Sequence, residues 1–162
     1  MATFDDVAAT LSYPMYIVTA RAEGEQSGCL VGFASQSSID PPRFTVWISD
    51  ANHTAAIAAR AEILAVHVLR HGEVELARHF GEVTGDEVDK FQSVAWRPGP
   101  GDVPILDGCD WFAGRVVERV RIVTGGDHQG YVLEPVAAEL HHSTADVLRF
   151  DDVRSLDPGH DA

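Results

Sequence analysis

The sequence consists mainly of short runs of β-branched and aromatic residues, each bounded by residues that form turns. Residues 16–20 and 29–31 are two such runs, and the polar turn residues between them predict a hairpin. Residues 44–48 form a third run directly after Pro41 and Pro42, which can neither donate to a strand ladder nor continue a helix. Strands separated by tight turns are therefore the dominant expected structure.

The second half of the chain continues this pattern with longer runs. Residues 63–69 have strand composition, and residues 111–123 and 131–140 form two long extended runs. The connector 124–130 between the last two is rich in turn residues, so they are predicted to form a second hairpin. The count is then about six strands.

Only two stretches have helical composition. Residues 54–61 are rich in alanine, with Asn52 or Thr54 able to cap the start, and residues 73–80 alternate charge and bulk at helical spacing before Gly81. Strands and helices do not alternate regularly, which argues against a parallel sheet. The sequence predicts a mainly β fold with short helices, in which six antiparallel strands close into a barrel and leave no exposed edge.

The whole chain, residues 1–162, has the length of one domain. Residues 81–108 are rich in glycine, proline and aspartate, and a loop of this length in a compact domain is usually functional, so we expect it to form a wall of a site. The C-terminal tail, residues 143–162, is acidic and is predicted to pack loosely or to reach a partner subunit.

The net charge excludes some partners. Twenty-five acidic residues against 12 basic ones leave a formal charge of −13, which repels nucleic acids and anionic membrane surfaces. No apolar run approaches the roughly 20 residues that span a bilayer, and the N-terminus is acidic, unlike that of a signal peptide. We therefore expect a cytoplasmic protein that binds neither nucleic acid nor membrane.

Metal and hydrolase sites are not indicated. Cys29 and Cys109 lack CxxC spacing and are predicted to be buried and reduced. The histidines show no metal-binding spacing, and no G-x-S-x-G motif is present. We expect no metal ion.

Three stretches, taken in order, resemble a known family. The most specific is residues 28–42, GCLVGFASQSSIDPP, in which a glycine is followed by Ser-Ile-Asp and a Pro-Pro pair. The others are residues 50–54, DANHT, and residues 126–128, Gly-Asp-His, with further similar pieces at 76–80, 89–91 and 111–118. Together they resemble the flavin reductase-like family over residues 7–140.

This resemblance implies a Greek-key split barrel of the FMN-binding type that forms a homodimer. The implied cofactor is FMN, with FAD as the alternative. Backbone groups of Leu30, Val31, Gly32 and Phe33 would follow the flavin edge, and Ser35 would turn toward the ribityl chain or phosphate. Residue 30 is commonly threonine in the family, so Leu30 removes one hydroxyl contact. An ordinary amphipathic strand ending in a polar turn is the alternative interpretation.

A second set of residues is implied for the phosphate. It lies where a helix is predicted to begin, and exposed N–H groups there attract anions. The candidates are Ser49, Asn52, His53 and Thr54. Alternatively, Asn52 or Thr54 merely caps the helix.

Four further residues have two interpretations each. Lys90, the only lysine, either balances the charge of an anionic ligand or lies on the surface. Phe80 and Phe91 either form a wall of the flavin site or pack in the core. Arg43 occupies a position where the family has an aliphatic residue. It is either a cation near the phosphate or a surface residue.

His128 is the candidate catalytic residue. In the family, the histidine of this Gly-Asp-His motif lies near the nicotinamide or the reactive face of the flavin. His128 would orient the dinucleotide or stabilise charge on the reduced flavin. No G-x-G-x-x-G follows a strand, so NAD(P)H would bind folded over the flavin. A solvent-facing turn histidine is the alternative.

The resemblance implies an NAD(P)H-dependent flavin reductase that passes hydride to FMN and supplies reduced flavin to a partner monooxygenase. The alternative is an FMN-binding electron carrier without efficient NAD(P)H oxidation, which the leucine at position 30 mildly favours. A third is the same fold with haem or a deazaflavin as its ligand.

Overall fold

The computed structural model describes residues 1–82, 89–142 and 146–157. The strands in these ranges are β1 (Tyr16–Ala22), β2 (Glu25–Val31), β3 (Ala34–Ser38), β4 (Arg43–Ser49), β5 (Ile63–Val68), β6 (Trp96–Pro98), β7 (Pro104–Leu106), β8 (Asp110–Arg121) and β9 (His128–Glu139). The α-helices are α1 (Phe4–Ala8), α2 (His53–Ala58), α3 (Val74–Glu82) and α4 (Phe150–Val153).

Seven strands form one antiparallel sheet in the order β2-β1-β5-β8-β9-β4-β3, and β6 pairs with β7 in a separate ribbon. The two edge strands, β2 and β3, are consecutive in the chain and separated only by Gly32 and Phe33. The sheet must therefore curl until its edges lie close together. No ladder joins β2 to β3 within the described ranges, so the predicted closure of the barrel is not confirmed.

The mainly β, antiparallel architecture with short helices is confirmed, but the predicted number of six strands is too low. Residues 34–38 form β3 although four of the five, residues 35–38, are polar, because this edge strand is largely exposed and needs no extended apolar face. The long segment 81–108 contributes the other two extra strands, β6 and β7, each only three residues long. Strands this short show no recognisable alternation of apolar and polar residues.

The helices differ from the prediction in number and in one helix end. Two short helices, α1 and α4, form where none was predicted. Asn52 caps α2, because its Oδ1 accepts a hydrogen bond from the Thr54 N–H at 3.0 Å. Gly81, however, does not end α3, which continues to Glu82. Gly81 allows a close helix–strand contact, since a Cβ at position 81 would lie 2.9 Å from Cδ2 of Leu30. The helix thus packs directly against β2.

The core lies on both faces of the central strands. Val18 of β1 points into one apolar cluster with Val46 and Leu133, whereas Ile17 points into a second cluster with Leu148. This follows from the alternation of side chains along a strand. Strand β1 is consequently buried on both sides.

His67 is a fully buried polar residue of β5. Its Nε2 accepts a hydrogen bond from the Leu106 N–H at 3.0 Å, so its Nδ1 carries the hydrogen and donates to the Ile17 carbonyl at 3.0 Å. Burial lowers the pKa of His67 to about 4. The neutral ring links β5, β1 and β7.

Asp110, at the start of β8, is a buried carboxylate that holds several chain segments together. It pairs with Arg70 and accepts hydrogen bonds from the N–H groups of His141 at 2.6 Å and His142 at 3.0 Å. Burial alone would raise the pKa of Asp110, but these hydrogen bonds lower it well below its usual range. The charged carboxylate thereby ties residues 141–142 to the sheet.

Residues 146–157, called the strap below, pack firmly against the sheet. Leu148 is fully buried, and its carbonyl accepts a hydrogen bond from the Met15 N–H at 2.9 Å. The Phe150 N–H donates to the Tyr13 carbonyl at 2.8 Å. The prediction of a loosely packed tail is wrong for these residues, because Leu148 and Val153 fill the second apolar cluster. Residues 143–145 and 158–162 lie outside the described part of the chain.

Cys29 and Cys109 are both buried and unbonded, as predicted. In the described ranges, no helix has the length and apolar composition needed to cross a membrane. The same ranges contain no cluster of three or more His, Cys, Asp or Glu side chains arranged to hold a metal ion.

Candidate functional site

A cavity of about 240 Å³, called the groove below, lies where the chain passes from β2 to β3. Its walls are formed by the C-terminal ends of β2 and β4, by the strap, and by the segments just before β1 and β9. It is lined by Tyr13, Met15, Cys29, Leu30, Val31, Gly32, Phe33, Trp47, Ser49, Asn52, Asp127, His128 and Phe150.

One wall is the predicted flavin-edge stretch. Leu30, Val31, Gly32 and Phe33 all line the groove. Leu30 and Val31 belong to the edge strand β2, whose outward-facing backbone groups can pair with a ligand. Gly32 and Phe33 follow the strand, and their carbonyl groups accept hydrogen bonds from the N–H groups of Ala34 at 3.1 Å and Trp47 at 2.8 Å. Gly32 allows a close approach, since a Cβ there would lie 2.4 Å from Cε2 of Tyr13.

His128 also lines the groove. It is the first residue of β9 and pairs with Ser49 at the end of β4. Its ring centroid is 5.1 Å from that of Phe33, and its Nδ1 lies 2.6 Å from Oδ1 of Asp127. This hydrogen bond lowers the pKa of Asp127. The candidate catalytic residue and the flavin-edge stretch are therefore brought together.

The phosphate candidates are divided by the fold. Ser49 and Asn52 line the groove. Thr54 is fully buried with its hydroxyl 2.8 Å from that of Ser27, so it supports the core. His53 lies in a different depression with Gln26 and Trp96, and Ser35 is exposed on β3 and does not line the groove.

Lys90 is placed differently from both of its predicted positions. It is 5% exposed, and its Nζ donates to the carbonyl oxygens of Gly28 at 3.1 Å and Phe80 at 2.9 Å. Burial lowers the pKa of the Lys90 amine. The lysine is therefore neither a surface residue nor part of the groove wall. It instead joins β2 to the end of α3.

The other residues with two interpretations lie in the core or on the surface. Phe80 and Phe91 are buried, with ring centroids 5.8 Å apart. Phe80 also borders a cavity that adjoins the groove, whereas Phe91 does not line the groove. Arg43 pairs with Glu134 at 3.2 Å and donates to the Pro42 carbonyl, which agrees with the surface interpretation.

Several groove residues were not found by sequence reasoning. Tyr13 and Phe150 stack with ring centroids 5.0 Å apart, although they come from opposite ends of the chain. Trp47 lies over Gly130, its strand partner, where a Cβ would be 2.9 Å from the indole. An aromatic residue facing a glycine across a strand pair is a usable signal for Trp47. No comparable local signal exists for Tyr13 and Phe150.

The groove continues in two directions. Beside His128 it opens into an apolar cavity of about 360 Å³, called the side cavity below, lined by Phe33, Trp47, Ile122, Gly126, Asp127 and His128. At its other end it shares Met15, Leu30, Asn52 and Phe150 with a cavity of about 340 Å³ that reaches Arg154. An aromatic slot with one backbone edge and few polar side chains suits a flat ring with a polar tail.

Comparison with known proteins gives a consistent result. Residues 8–156 match the family model described as flavin reductase like domain. The chain is 28% identical over 131 residues to the 4-hydroxyphenylacetate 3-monooxygenase reductase component of Salmonella typhimurium, covering 80% of this chain and 76% of that protein. It is 28% identical over 152 residues to the ferric-chelate reductase (NAD(P)H) of Archaeoglobus fulgidus, covering 92% and 88%. The crystal structure of an FMN-binding protein from Thermus thermophilus with bound 1-cyclohex-2-enone superposes with a TM-score of 0.76 at 26% identity, covering 86% and 76%.

Proposed function

The chain belongs to the flavin reductase-like family and is an oxidoreductase, and from that premise we propose that it transfers hydride from NAD(P)H to FMN held in the groove. One observation carries this proposal. The backbone of Leu30–Phe33 and the ring of His128 line the same aromatic groove, and the rings of Phe33 and His128 lie 5.1 Å apart.

The proposed FMN site uses the two groups of residues that the fold brings together. Backbone groups of Leu30 and Val31 would pair with the polar edge of the flavin, as an edge strand can. Gly32 and Phe33 would contribute their N–H groups, since their carbonyl groups are paired within the chain. Ser49 and Asn52 would donate to the phosphate. The similarity to an FMN-binding protein supports FMN over FAD, which stays the alternative. His53, Thr54, Ser35, Phe80, Phe91 and Lys90 are left out, because they do not line the groove.

The protein would contribute position and electrostatics, since the bound flavin itself supplies the hydride acceptor. His128 would orient the nicotinamide nucleotide or stabilise negative charge that develops during reduction. Phe33 and Trp47 border the apolar side cavity beside His128 and would exclude water from the reacting face. Alignment of the two reactants is the main gain in rate from such a site.

Reduced flavin would be consumed by a partner monooxygenase. The support is the similarity to reductase components of 4-hydroxyphenylacetate 3-monooxygenase. The proposal includes a homodimer, as the family resemblance implies, and a cytoplasmic location, as expected from the acidic N-terminus and the lack of a long apolar run.

A carrier that binds FMN without oxidising NAD(P)H efficiently is the second candidate. The observation that favours it is Leu30, whose alkyl side chain lines the groove where the family commonly has a hydroxyl. The two functions share the FMN site and differ only in the response to reduced nicotinamide.

The test is an anaerobic titration of the purified protein with FMN, followed by addition of NADH or NADPH while the flavin absorbance is recorded. Rapid bleaching is expected for the reductase. Tight binding without bleaching would identify the carrier, and absence of FMN binding would mean that the fold has a different ligand, such as haem or a deazaflavin.

A substitution at His128 tests its role. His128→Ala is expected to slow bleaching by about 10- to 100-fold, because loss of alignment has effects of this size, while FMN affinity stays unchanged. His141→Ala is the matched control, since His141 lies outside the groove. Equal rates for wild type and His128→Ala would remove His128 from the site.

A further inference from the structure

Asp127 is the nearest charged neighbour of His128 and lines the same two cavities. Its Oδ1 lies 2.6 Å from Nδ1 of His128, within hydrogen-bond distance. Asp127 and His128 both border the groove and the side cavity. The carboxylate is therefore placed to act on the candidate catalytic ring.

The backbone around this pair is held on both sides. The Asp127 carbonyl accepts a hydrogen bond from the Asp50 N–H at 2.7 Å, and His128 pairs with Ser49. The preceding turn contains Gly125 at a φ of 108°, a conformation that suits glycine. The pair thus has a defined position at the mouth of the groove.

The charged side chains of Arg121 and Asp50 contact each other. Arg121 lies 3.8 Å from the carboxylate of Asp50, and its guanidinium also donates to Oε1 of Gln129 at 3.1 Å. The Asp127 carboxylate hydrogen-bonds the His128 ring and its own backbone N–H.

The chemistry of this contact selects one tautomer of the ring. An ionised carboxylate can only accept a hydrogen bond, so Nδ1 of His128 must carry the hydrogen. The lowered pKa of Asp127 agrees with a carboxylate that stays ionised. Nε2 is then the ring nitrogen available to a ligand.

We propose that Asp127 is a positioning residue that fixes the ring orientation and tautomer of His128, so that Nε2 is presented to the nicotinamide nucleotide. This inference rests on the proposed function. Asp127 acts through His128 and has no role of its own in hydride transfer. Neighbouring carboxylates commonly orient a catalytic or ligating histidine in this way.

The variants needed for a test should fold. The Asp127 side chain is 78% exposed, and exposed ion pairs add little to stability. Asp127→Ala removes the acceptor, whereas Asp127→Asn keeps an oxygen that can accept from Nδ1–H. The asparagine variant is therefore the matched control for loss of charge alone.

The first readout is ¹⁵N NMR of histidine-labelled protein, which reports which ring nitrogen carries the hydrogen. The wild type and Asp127→Asn are expected to show the Nδ1–H tautomer at His128 when the ring is neutral, and Asp127→Ala is expected to lose it. An Nε2–H tautomer in the wild type would overturn the proposal. This measurement needs no activity, so it remains decisive even if NAD(P)H does not reduce the flavin.

The second readout is a double-mutant cycle on anaerobic flavin reduction. Asp127→Ala is expected to slow reduction by about 10- to 100-fold, as loss of an orienting partner does, with unchanged FMN affinity and recovery in Asp127→Asn. In the His128→Ala background the same substitution should have no further effect. An equal loss of rate in both backgrounds would show that Asp127 acts independently of His128 and would overturn the proposal.

Discussion

Single residues at the end of β2 control how much space the groove has. Gly32 lines the groove, and a Cβ there would lie 2.4 Å from Cε2 of Tyr13 and 3.3 Å from Sδ of Met15. Tyr13 cannot move away freely, because its ring stacks on Phe150. The absence of a side chain at position 32 is thus a property of the site as well as of the strand.

Gly32→Ala is therefore expected to weaken FMN binding and to lower the free energy of unfolding by about 1–3 kcal/mol, the usual cost of overpacking. Gly72→Ala is the matched control, since a Cβ at Gly72 meets no atom within 4 Å. Denaturant unfolding and FMN titration of both variants provide the measurement. Equal FMN affinities for Gly32→Ala and Gly72→Ala would contradict this account of the groove.

The site residues differ in how far the sequence could predict them. Leu30 to Phe33 and His128 belong to short motifs with recognisable neighbours, and they meet in the groove. The position of Lys90 was predicted wrongly. Its amine is held by the carbonyl groups of Gly28 and Phe80, and no local sequence pattern predicts these contacts. A lone lysine in an acidic chain is ambiguous until its acceptors are known.

At the scale of elements, the strap connects the C-terminus to the groove. Phe150 of α4 lines the groove, and an ionic contact at the other side of the strap involves His71, just before α3. His71 Nδ1 hydrogen-bonds Asp146, and its Nε2 lies 3.1 Å from Oδ2 of Asp152. The carboxyl groups of the strap thus face His71.

This contact should make the stability of the packed strap depend on pH. The hydrogen bond with Asp146, aided by the charge of Asp152, raises the pKa of His71. A raised pKa means that the contact contributes fully below the ordinary histidine value of about 6.5 and is lost as pH rises through the folded-state pKa. Burial of Leu148 and Val153 holds the strap independently of pH.

We therefore expect hydrogen-exchange protection factors of the Leu148 and Phe150 amides to fall as pH rises above about 6.5. In His71→Ala the protection factors should be lower at acidic pH and independent of pH. Protection factors, which correct for the intrinsic exchange rate, are the appropriate measurement. The same pH dependence in wild type and His71→Ala would show that the contact does not hold the strap.

At the scale of the whole molecule, exposed apolar residues cluster at one end of the β8–β9 hairpin. Val123 is 91% exposed and Ile122 46% exposed, and Ile122 borders the side cavity together with Phe33. Apolar surface of this kind beside a ligand cavity is typical of an interface. The proposed homodimer would cover it and complete the wall of the groove.

Val123→Asp is accordingly expected to shift the protein from dimer to monomer in sedimentation at micromolar concentration. Leu140→Asp, an exposed apolar position at the opposite end of the hairpin, is the matched control. Because each copy has a formal charge of −13, added salt should favour the dimer by screening repulsion. A monomeric wild type under these conditions would count against the homodimer.

The sequence alone determined the class of fold and the identity of the central motif. Runs of β-branched residues and their turns depend on near neighbours, so hairpins such as β1–β2 and β8–β9 can be recognised without knowledge of the rest of the chain. The stretch from Gly28 to Pro42 likewise depends only on spacing along the chain.

Only the tertiary structure decided which residues surround the groove. Tyr13 and Phe150 meet because the strap pairs with the segment just before β1, and Gly81 packs closely against the Leu30 side chain. Polar β3 forms an edge strand because β4 offers it a partner. These contacts join segments that are distant in sequence, and the packing that brings them together produces no periodic pattern in any one segment.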